Sequence, residues 1–228
     1  MITAFSRALG QLGDPAIRRI VGIGVLGATA LIVLLWIGVG VLLTHTTLFQ
    51  SGWLDAAVDV LGGVAVLALT LLFFPAVATA ILGFFLEDAA EAVERRYYPS
   101  LPAARQQSVK ESILNSIKLL AVMLAANVFA LLFLLVPPVF PFVFYAVNGY
   151  LLGREYFEVA ALRRHPPATV TELRRRHRGQ LFLVGVVIAF LLTLPLINLI
   201  APVMATAVMV HLYHSFDAPG DAVALARR

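Results

Sequence analysis

The stretch Asp14-Pro15-Ala16-Ile17-Arg18-Arg19 has the residue types and spacing best suited to binding an anion. Asp14 is a good N-cap and Pro15 a good first-turn residue, so the stretch predicts the start of a helix. The free backbone N–H groups and positive dipole end of such a helix favour an anion, as do two arginines in its next turn. A basic flank that contacts lipid headgroups has the same composition, and the residues alone favour this simpler interpretation.

Neutral polar residues inside otherwise apolar runs are the next candidates for function. They are Asn127, Asn148, Thr193 and Asn198. Polar residues at membrane depth usually face the protein interior. Asn198 is the best placed, because Pro195 and Pro202 break the helix around it and free backbone groups there. Asn198, Pro195, Pro202 and Asn148 are therefore candidates for lining a pathway, while hydrogen bonding between helices explains such residues equally well.

Two histidines near the end of the chain have the spacing of metal ligands but lack companions. His211 and His214 are three residues apart, and only Asp217 is spaced with them. A metal site needs three or four converging ligands, so a structural role is favoured. The sequence also lacks a Ser–His–Asp order, paired intramembrane carboxylates and a phosphate-binding loop, which are constellations that an enzyme would need. We therefore predict neither a metal site nor an enzyme.

Closely spaced glycines indicate helix packing. The run Gly22-Ile23-Gly24-Val25-Leu26-Gly27 has the spacing of a dinucleotide-binding loop. It lacks the preceding strand that such a loop requires and lies within a charge-free apolar run. Small residues in such a run, and the pair Gly149 and Gly153, instead allow two helices to approach closely. No cofactor is expected.

The composition places these residues in a membrane protein. Of the 228 residues, 61% are hydrophobic and only 13% are charged, whereas an ordinary soluble domain carries about 25% charged residues. The length suits a single membrane domain, which we assign to residues 1–228. The sequence has no cysteine, which excludes disulfides and thiolate chemistry. The formal net charge of +4 bears on topology rather than on nucleic acid, which we do not expect as a partner.

Two uninterrupted apolar blocks predict transmembrane helices. Residues 20–43 contain no charge and are too long for a signal peptide, so they predict a permanent span. Residues 56–86 predict a second, tilted span. A water-exposed helix is expected to continue from this block until Pro99 ends it.

Two further apolar blocks, residues 119–152 and 181–212, are interrupted by prolines. The prolines are Pro137, Pro138 and Pro141 in the first of them and Pro195 and Pro202 in the second. Clustered prolines break a helix, so only short arms are expected on either side. Such a break is tolerated at membrane depth only where it is buried in protein or lines a cavity.

The positions of the positive charges predict the topology. Every lysine and arginine lies outside the four blocks, with five in residues 87–118 and seven in residues 153–180. The positive-inside rule places the N-terminus and both basic segments in the cytoplasm. A single crossing by residues 119–152 would put the most basic segment outside, so this block is expected to turn back at its prolines. The same turn in residues 181–212 returns the C-terminus to the cytoplasm.

The predicted fold is therefore an all-α integral membrane protein. It has two long transmembrane helices and two re-entrant, hemi-penetrating helical hairpins, and the short arms of the hairpins favour partial penetration. Two kinds of polar group are then available to a ligand: the freed backbone groups at the two breaks and the basic groups on the cytoplasmic side.

In their order along the chain, these features resemble the CysZ sulfate permease family and the related etoposide-induced protein family. Residues 14–19 are similar to the family's Pro-Gly-Leu/Ile-Arg-Arg segment, and residues 194–202 to its Pro-Leu-Leu-Asn-Leu-x-x-x-Pro signature. Glu155-Tyr156-Phe157 and the basic stretch 173–185 resemble further parts of the family pattern. The similarity extends over residues 13–213.

The resemblance implies a homo-oligomeric protein of the bacterial inner membrane that conducts sulfate inward for cysteine synthesis. It implies that Arg18 and Arg19 ligate the anion at a site that includes Ala16 and Ile17, with Ala16 standing where the family has glycine. The leading hypothesis is a passive permease for sulfate or another small anion, working in the lipid bilayer without a nucleotide. The alternative is a non-transporting membrane scaffold or assembly factor.

Overall fold

The computed structural model describes residues 2–45, 52–105, 107–195 and 197–216. Within these ranges the protein is all-helical, with 87% helix and no strand, which confirms the predicted all-α class. The α-helices of the described ranges are α1 Ile2–Gly10, α2 Pro15–His45, α3 Gly52–Gly83, α4 Leu86–Tyr97, α5 Val109–Leu132, α6 Phe140–Ala161, α7 Pro167–Arg176, α8 Arg178–Thr193 and α9 Ala201–Phe216.

In the described part of the chain, three helices, α2, α3 and α5, are each long and apolar enough to cross a membrane. The qualifying stretches are Pro15–Val41, Val60–Gly83 and Lys110–Leu135. Large apolar side chains cover these helices and remain exposed, as at Leu34 and Leu71. Continuous apolar surface of this extent is unfavourable in water and suits a lipid environment. The first two stretches correspond to the two predicted spans.

Helices α2 and α3 pack closely along the glycine run. A Cβ atom on Gly24 would lie 2.6 Å from the side chain of Leu82, and one on Gly27 would lie 3.1 Å from that of Ile81. Further along the same pair, the indole Nε1 of Trp36 donates a hydrogen bond to the Thr70 hydroxyl at 2.7 Å. The prediction that these glycines serve helix packing is confirmed at Gly24 and Gly27.

Helices α5 and α6 form the first proline-broken block. Pro137 and Pro138 lie in the turn between them, and Pro141 lies in the first turn of α6, where a missing N–H costs nothing. Ser108 caps α5 by accepting a hydrogen bond from the backbone N–H of Glu111 at 3.2 Å. With 24 and 22 residues, both arms are longer than predicted, because each helix continues past the apolar block into charged sequence.

Helices α8 and α9 form the second broken block, and their arms are short. Each has 16 residues, which is about 24 Å at a rise of 1.5 Å per residue and less than the roughly 30 Å of a bilayer core. Pro195 and Asn198 lie in the break between them, and Pro202 lies in the first turn of α9. A bend of 87° separates α8 from α7. The depth to which either helix pair enters the bilayer stays a prediction.

Small residues also join the two broken blocks. At Gly185 of α8, an added Cβ would overlap the backbone carbonyl oxygen of Gly149 and lie 2.7 Å from the backbone nitrogen of Gly153, both on α6. A Cβ on Gly153 would in turn overlap the carbonyl oxygen of Leu181. The two helices are therefore in backbone contact, which confirms the packing role predicted for Gly149 and Gly153.

Helix α9 lies at the centre of the core. Fourteen of its sixteen residues are buried, and it packs against α1, α4, α6 and α8. The ring of Tyr213 lies edge-on to that of Phe157 on α6, with centroids 6.2 Å apart. A helix that is apolar on every side has to be surrounded by protein or lipid, and here protein surrounds it.

Replacing Gly185 with alanine tests the contact between α6 and α8. The added methyl group meets backbone rather than a movable side chain, so Gly185→Ala should lower the free energy of unfolding by about 1–3 kcal/mol. Thermal unfolding of the detergent-solubilised protein, followed by circular dichroism, measures the effect. Gly179→Ala is the matched control, because nothing lies within 4 Å of its Cβ position. Equal stability of the two variants would show that the helices are not in backbone contact.

Candidate functional site

Charged side chains from distant parts of the chain meet in a single layer at the helix ends, which we call the basic layer. Its members are Asp14, Glu94, Arg96, Arg105, Arg163, Arg164 and His214. The backbone N–H of Arg105, just before α5, donates to the carbonyl oxygen of Arg163, just after α6, at 2.8 Å. Both outer ends of the α5–α6 pair therefore lie in this layer.

Asp14 begins α2 in the manner that the sequence predicts. Its Oδ1 accepts a hydrogen bond from the backbone N–H of Ala16 at 2.9 Å, and its Oδ2 lies 2.7 Å from a guanidinium nitrogen of Arg96. The hydrogen bond from Arg96, followed by that from Ala16, lowers the pKa of the Asp14 carboxyl group below its ordinary value. The helix start therefore already holds one carboxylate, which belongs to the chain itself.

The four residues predicted to bind an anion divide into an anchored pair and an exposed pair. Ile17 is buried, in a cluster that includes Leu82, and Ala16 is half-buried beside it. Arg18 and Arg19 are exposed. Neither guanidinium forms an ion pair or a hydrogen bond within the described part of the chain. The helix start is thus fixed by its apolar neighbours, while two cations beside it remain available.

Glu94 is the most constrained charged group of the basic layer. Its side chain is 5% exposed, and its Oε2 accepts hydrogen bonds from Arg164 at 2.6 Å and from Arg163 at 3.2 Å. Its Oε1 accepts a bond from the Nε of Arg164 at 3.0 Å and lies 3.5 Å from the Nε2 of His214. A buried carboxylate requires such compensation, so α4, the segment after α6 and the end of α9 are held together.

These contacts keep Glu94 ionised. Burial by itself raises the pKa of the carboxyl group, but the nearby His214, the hydrogen bond from Arg164 and the charge of Arg163 outweigh it. Together they lower the pKa from 4.5 to about 2. Sequence analysis assigned Glu94 only to an exposed helix. The signal that could have found it is the position of Glu94 one helical turn from Ala90, on the face that α4 buries.

A cavity of about 580 Å³ lies beside Glu94. The cations on its wall are already paired, because Arg163 and Arg164 bind Glu94 and Arg95 lies 3.7 Å from Glu91. Little positive charge is left for an external anion there. The start of α2, with Arg18 and Arg19 unpaired, is the stronger candidate for an anion site.

The pathway candidates at the second break are tied to a neighbouring helix. The side-chain oxygen of Asn198 accepts a hydrogen bond from the Thr79 hydroxyl of α3 at 2.9 Å. Pro195 is exposed and Pro202 is buried. The structure thus brings Asn198 against a candidate span, as hydrogen bonding between helices would require.

The other polar residues of the apolar runs bond mainly within their own helices, although the Thr193 hydroxyl also lies 3.4 Å from that of Tyr145 on α6. The side-chain amides of Asn148 and Asn127 donate to the carbonyl oxygens one turn earlier, those of Phe144 and Met123. The Thr193 hydroxyl likewise donates to a carbonyl oxygen of α8. Asn148 is half-buried, and its side-chain hydrogen bond to Phe144 does not join it to the Asn198 break.

The two histidines of α9 have aromatic and carboxylate partners. The Tyr98 hydroxyl lies 3.0 Å from the Nδ1 of His211, and the Tyr98 ring lies against that of His214 with centroids 4.1 Å apart. Asp217, the third ligand weighed from the sequence, lies outside the described residues. Among the described residues, no three His, Asp or Glu side chains converge as metal ligands would. The contacts with Tyr98 and Glu94 support a structural role for both histidines.

Apolar helices of membrane-crossing length, attached to a layer of paired charges, define a helical integral membrane protein. The family model described as sulfate transporter CysZ/etoposide-induced protein 2.4 matches residues 4–202. The chain belongs to this family, which confirms the resemblance found in the sequence. No curated protein matches the chain.

The Glu94 contacts predict a stability loss in acid. The pKa in the folded protein, about 2, lies below the ordinary value of 4.5, so ionised Glu94 contributes its full stabilisation above about pH 4.5. That contribution should disappear as the pH falls from about 4.5 towards 2. Denaturant unfolding in detergent at a series of pH values measures it.

Glu94→Gln is the variant that isolates this effect. It leaves Arg163 and Arg164 without their anion, so the free energy of unfolding near pH 7 should fall by about 3–5 kcal/mol, and part of the acid dependence should vanish. Glu91→Gln is the control, because Glu91 is half-exposed and its pair with Arg95 is long. Identical pH profiles for wild type and Glu94→Gln would contradict this role for Glu94.

Proposed function

We propose that the protein is a passive permease for sulfate or a similar small anion, located in the bacterial inner membrane and supporting sulfate assimilation. Membership of a family whose description includes a sulfate transporter is the observation that carries this proposal. The described part of the chain offers a basis for anion selectivity at the start of α2, beside the basic layer, where Arg18 and Arg19 are exposed and unpaired. The family match also favours a transporter over an enzyme.

The anion site of this proposal is the start of α2. Arg18 and Arg19 would supply charge-assisted hydrogen bonds, while the backbone of Ala16 and Ile17 would supply the positive end of the helix dipole. Asp14 already occupies the N–H of Ala16. An external anion is therefore expected to bind mainly through the arginines, with Asp14 opposing it by charge repulsion.

The pathway of this proposal follows the second break. Asn198, Pro195 and Pro202 lie where the backbone leaves helical geometry between two short helices, and Asn148 lies on the adjoining α6. Polar backbone at membrane depth is stable only within protein or beside water, so a broken helix is a natural lining for an anion path. Flux would follow the concentration gradient.

The membrane arrangement of this proposal has α2 and α3 as full spans and the other two helix pairs as re-entrant hairpins. The short α8 and α9, and the meeting of both α5–α6 ends in the basic layer, support it. The positive-inside rule then makes the basic layer and both termini cytoplasmic. A homo-oligomer would cover part of the exposed apolar surface of the spans.

Uptake of radiolabelled sulfate into proteoliposomes tests the proposal. The wild-type protein should exceed empty liposomes, and Arg18→Ala/Arg19→Ala should reduce the rate at least tenfold, because it removes two charge-assisted bonds to the anion. Arg95→Ala/Arg175→Ala is the matched control, since it removes two other exposed arginines and should transport normally.

The Asp14→Asn variant sharpens the same assay. Asparagine is also a good helix cap, so α2 should still start correctly, and the loss of the negative charge should raise sulfate uptake. Uptake at the empty-liposome rate by every variant and by wild type would overturn the permease. Recovery of a stoichiometric membrane partner by such an inactive protein would support the scaffold instead.

A further inference from the structure

A second cluster of arginines surrounds a small cavity away from the start of α2. The cavity has a volume of about 40 Å³ and lies where α6, the end of α7 and the start of α8 meet. It is lined by Tyr150, Arg154, Arg174, Arg178, Leu181 and Phe182. A volume this small holds a few atoms, far less than the roughly 300–1,000 Å³ of a site for an organic molecule.

The charge around this cavity is only partly compensated. Arg154 and Arg174 both bond the same oxygen of Glu158, at 2.8 and 3.0 Å. Each guanidinium has five N–H donors, so several remain on both arginines. Arg178 forms no ion pair or side-chain hydrogen bond within the described residues. Three arginines against one glutamate leave an excess of two positive charges.

The fold adds a further preference for an anion here. Arg178 is the first residue of α8, where the chain turns by 87° from α7. The positive end of the α8 dipole therefore lies at the cavity. Leu173 and Leu181 are buried, which anchors the bend on both sides and holds the arginines of the two helices near each other.

The rest of the cavity lining is mostly apolar and partly exposed. Tyr150 is 51% exposed and Phe182 is 37% exposed. Beyond them α8 presents exposed Leu183 and Phe190, and α6 presents exposed Phe142, on surfaces that suit lipid. A ligand in this cavity would have its charged group among arginines and any attached chain against the apolar surface.

We propose that this cavity binds a tetrahedral phosphate group, presented by the headgroup of an anionic phospholipid in the leaflet that borders the basic layer. Basic pockets between helices at a membrane surface recognise such headgroups. The small volume matches a phosphate group, and the tyrosine and phenylalanine at its mouth match the start of the lipid's apolar part. Free sulfate or phosphate shares the tetrahedral chemistry but lacks the apolar part.

Ligand-induced thermal stabilisation of the purified full-length protein in detergent tests this site. The probes are short-chain phosphatidylglycerol, short-chain phosphatidylcholine and sodium sulfate. Phosphatidylglycerol should bind most tightly, and Arg178→Gln should weaken it about tenfold, as expected for the loss of a charged hydrogen bond. Arg175→Gln is the matched control, because it removes one exposed arginine that does not line the cavity.

The outcomes separate the possible sources of the anion. Preference for phosphatidylglycerol that is lost in Arg178→Gln and kept in Arg175→Gln supports the lipid site. Sulfate binding of equal strength that depends on Arg178 would overturn the lipid assignment in favour of a dissolved anion. Equal weakening in both arginine variants would overturn the site, since it would show only a general attraction to positive charge. The Arg18→Ala/Arg19→Ala variant should bind phosphatidylglycerol as tightly as the wild type, because its two arginines do not line this cavity. The lipid site is therefore tested independently of the proposed permease site.

Discussion

The architecture depends on keeping one buried carboxylate ionised. Glu94 lies almost out of solvent contact, where an unpaired charge would cost several kcal/mol. Arg163 and Arg164 reach it from the segment after α6, and His214 reaches it from the end of α9. Because these partners are far apart in sequence, satisfying Glu94 fixes both proline-broken blocks at one end. Both blocks therefore end near this layer.

The prolines supply the complementary constraint at the other end of each block. They remove backbone donors and stop the helices, so the chain reverses between α5 and α6 and between α8 and α9. Glycine then allows the two blocks to pack, since Gly185 touches the backbone of α6. The result is a compact group around α9, with α2, α3 and α5 presenting apolar surface to the surroundings.

Features that are local in sequence could be predicted, whereas features that join distant residues could not. Proline positions located both breaks, and Asp14 located the start of α2. The arms of α5 and α6 were expected to be short, and both are longer. The apolar block ends before the helices do, because helical propensity carries them into charged sequence. The partners of Glu94 lie 69, 70 and 120 positions away along the chain, and no pattern in one sequence pairs them. The arginines of the small cavity likewise meet only through the bend at His177.

Site-directed labelling tests most directly whether the first broken block returns to the side from which it starts. The chain contains no cysteine, so single cysteines at Ala103, Ala168 and Ser51 report one position each to a membrane-impermeant maleimide. Ala103→Cys and Ala168→Cys should react only after the membrane is permeabilised, whereas Ser51→Cys, between the two predicted spans, should react in intact spheroplasts. Reaction of Ala168→Cys in intact spheroplasts would place the segment after α6 outside and contradict the arrangement around Glu94.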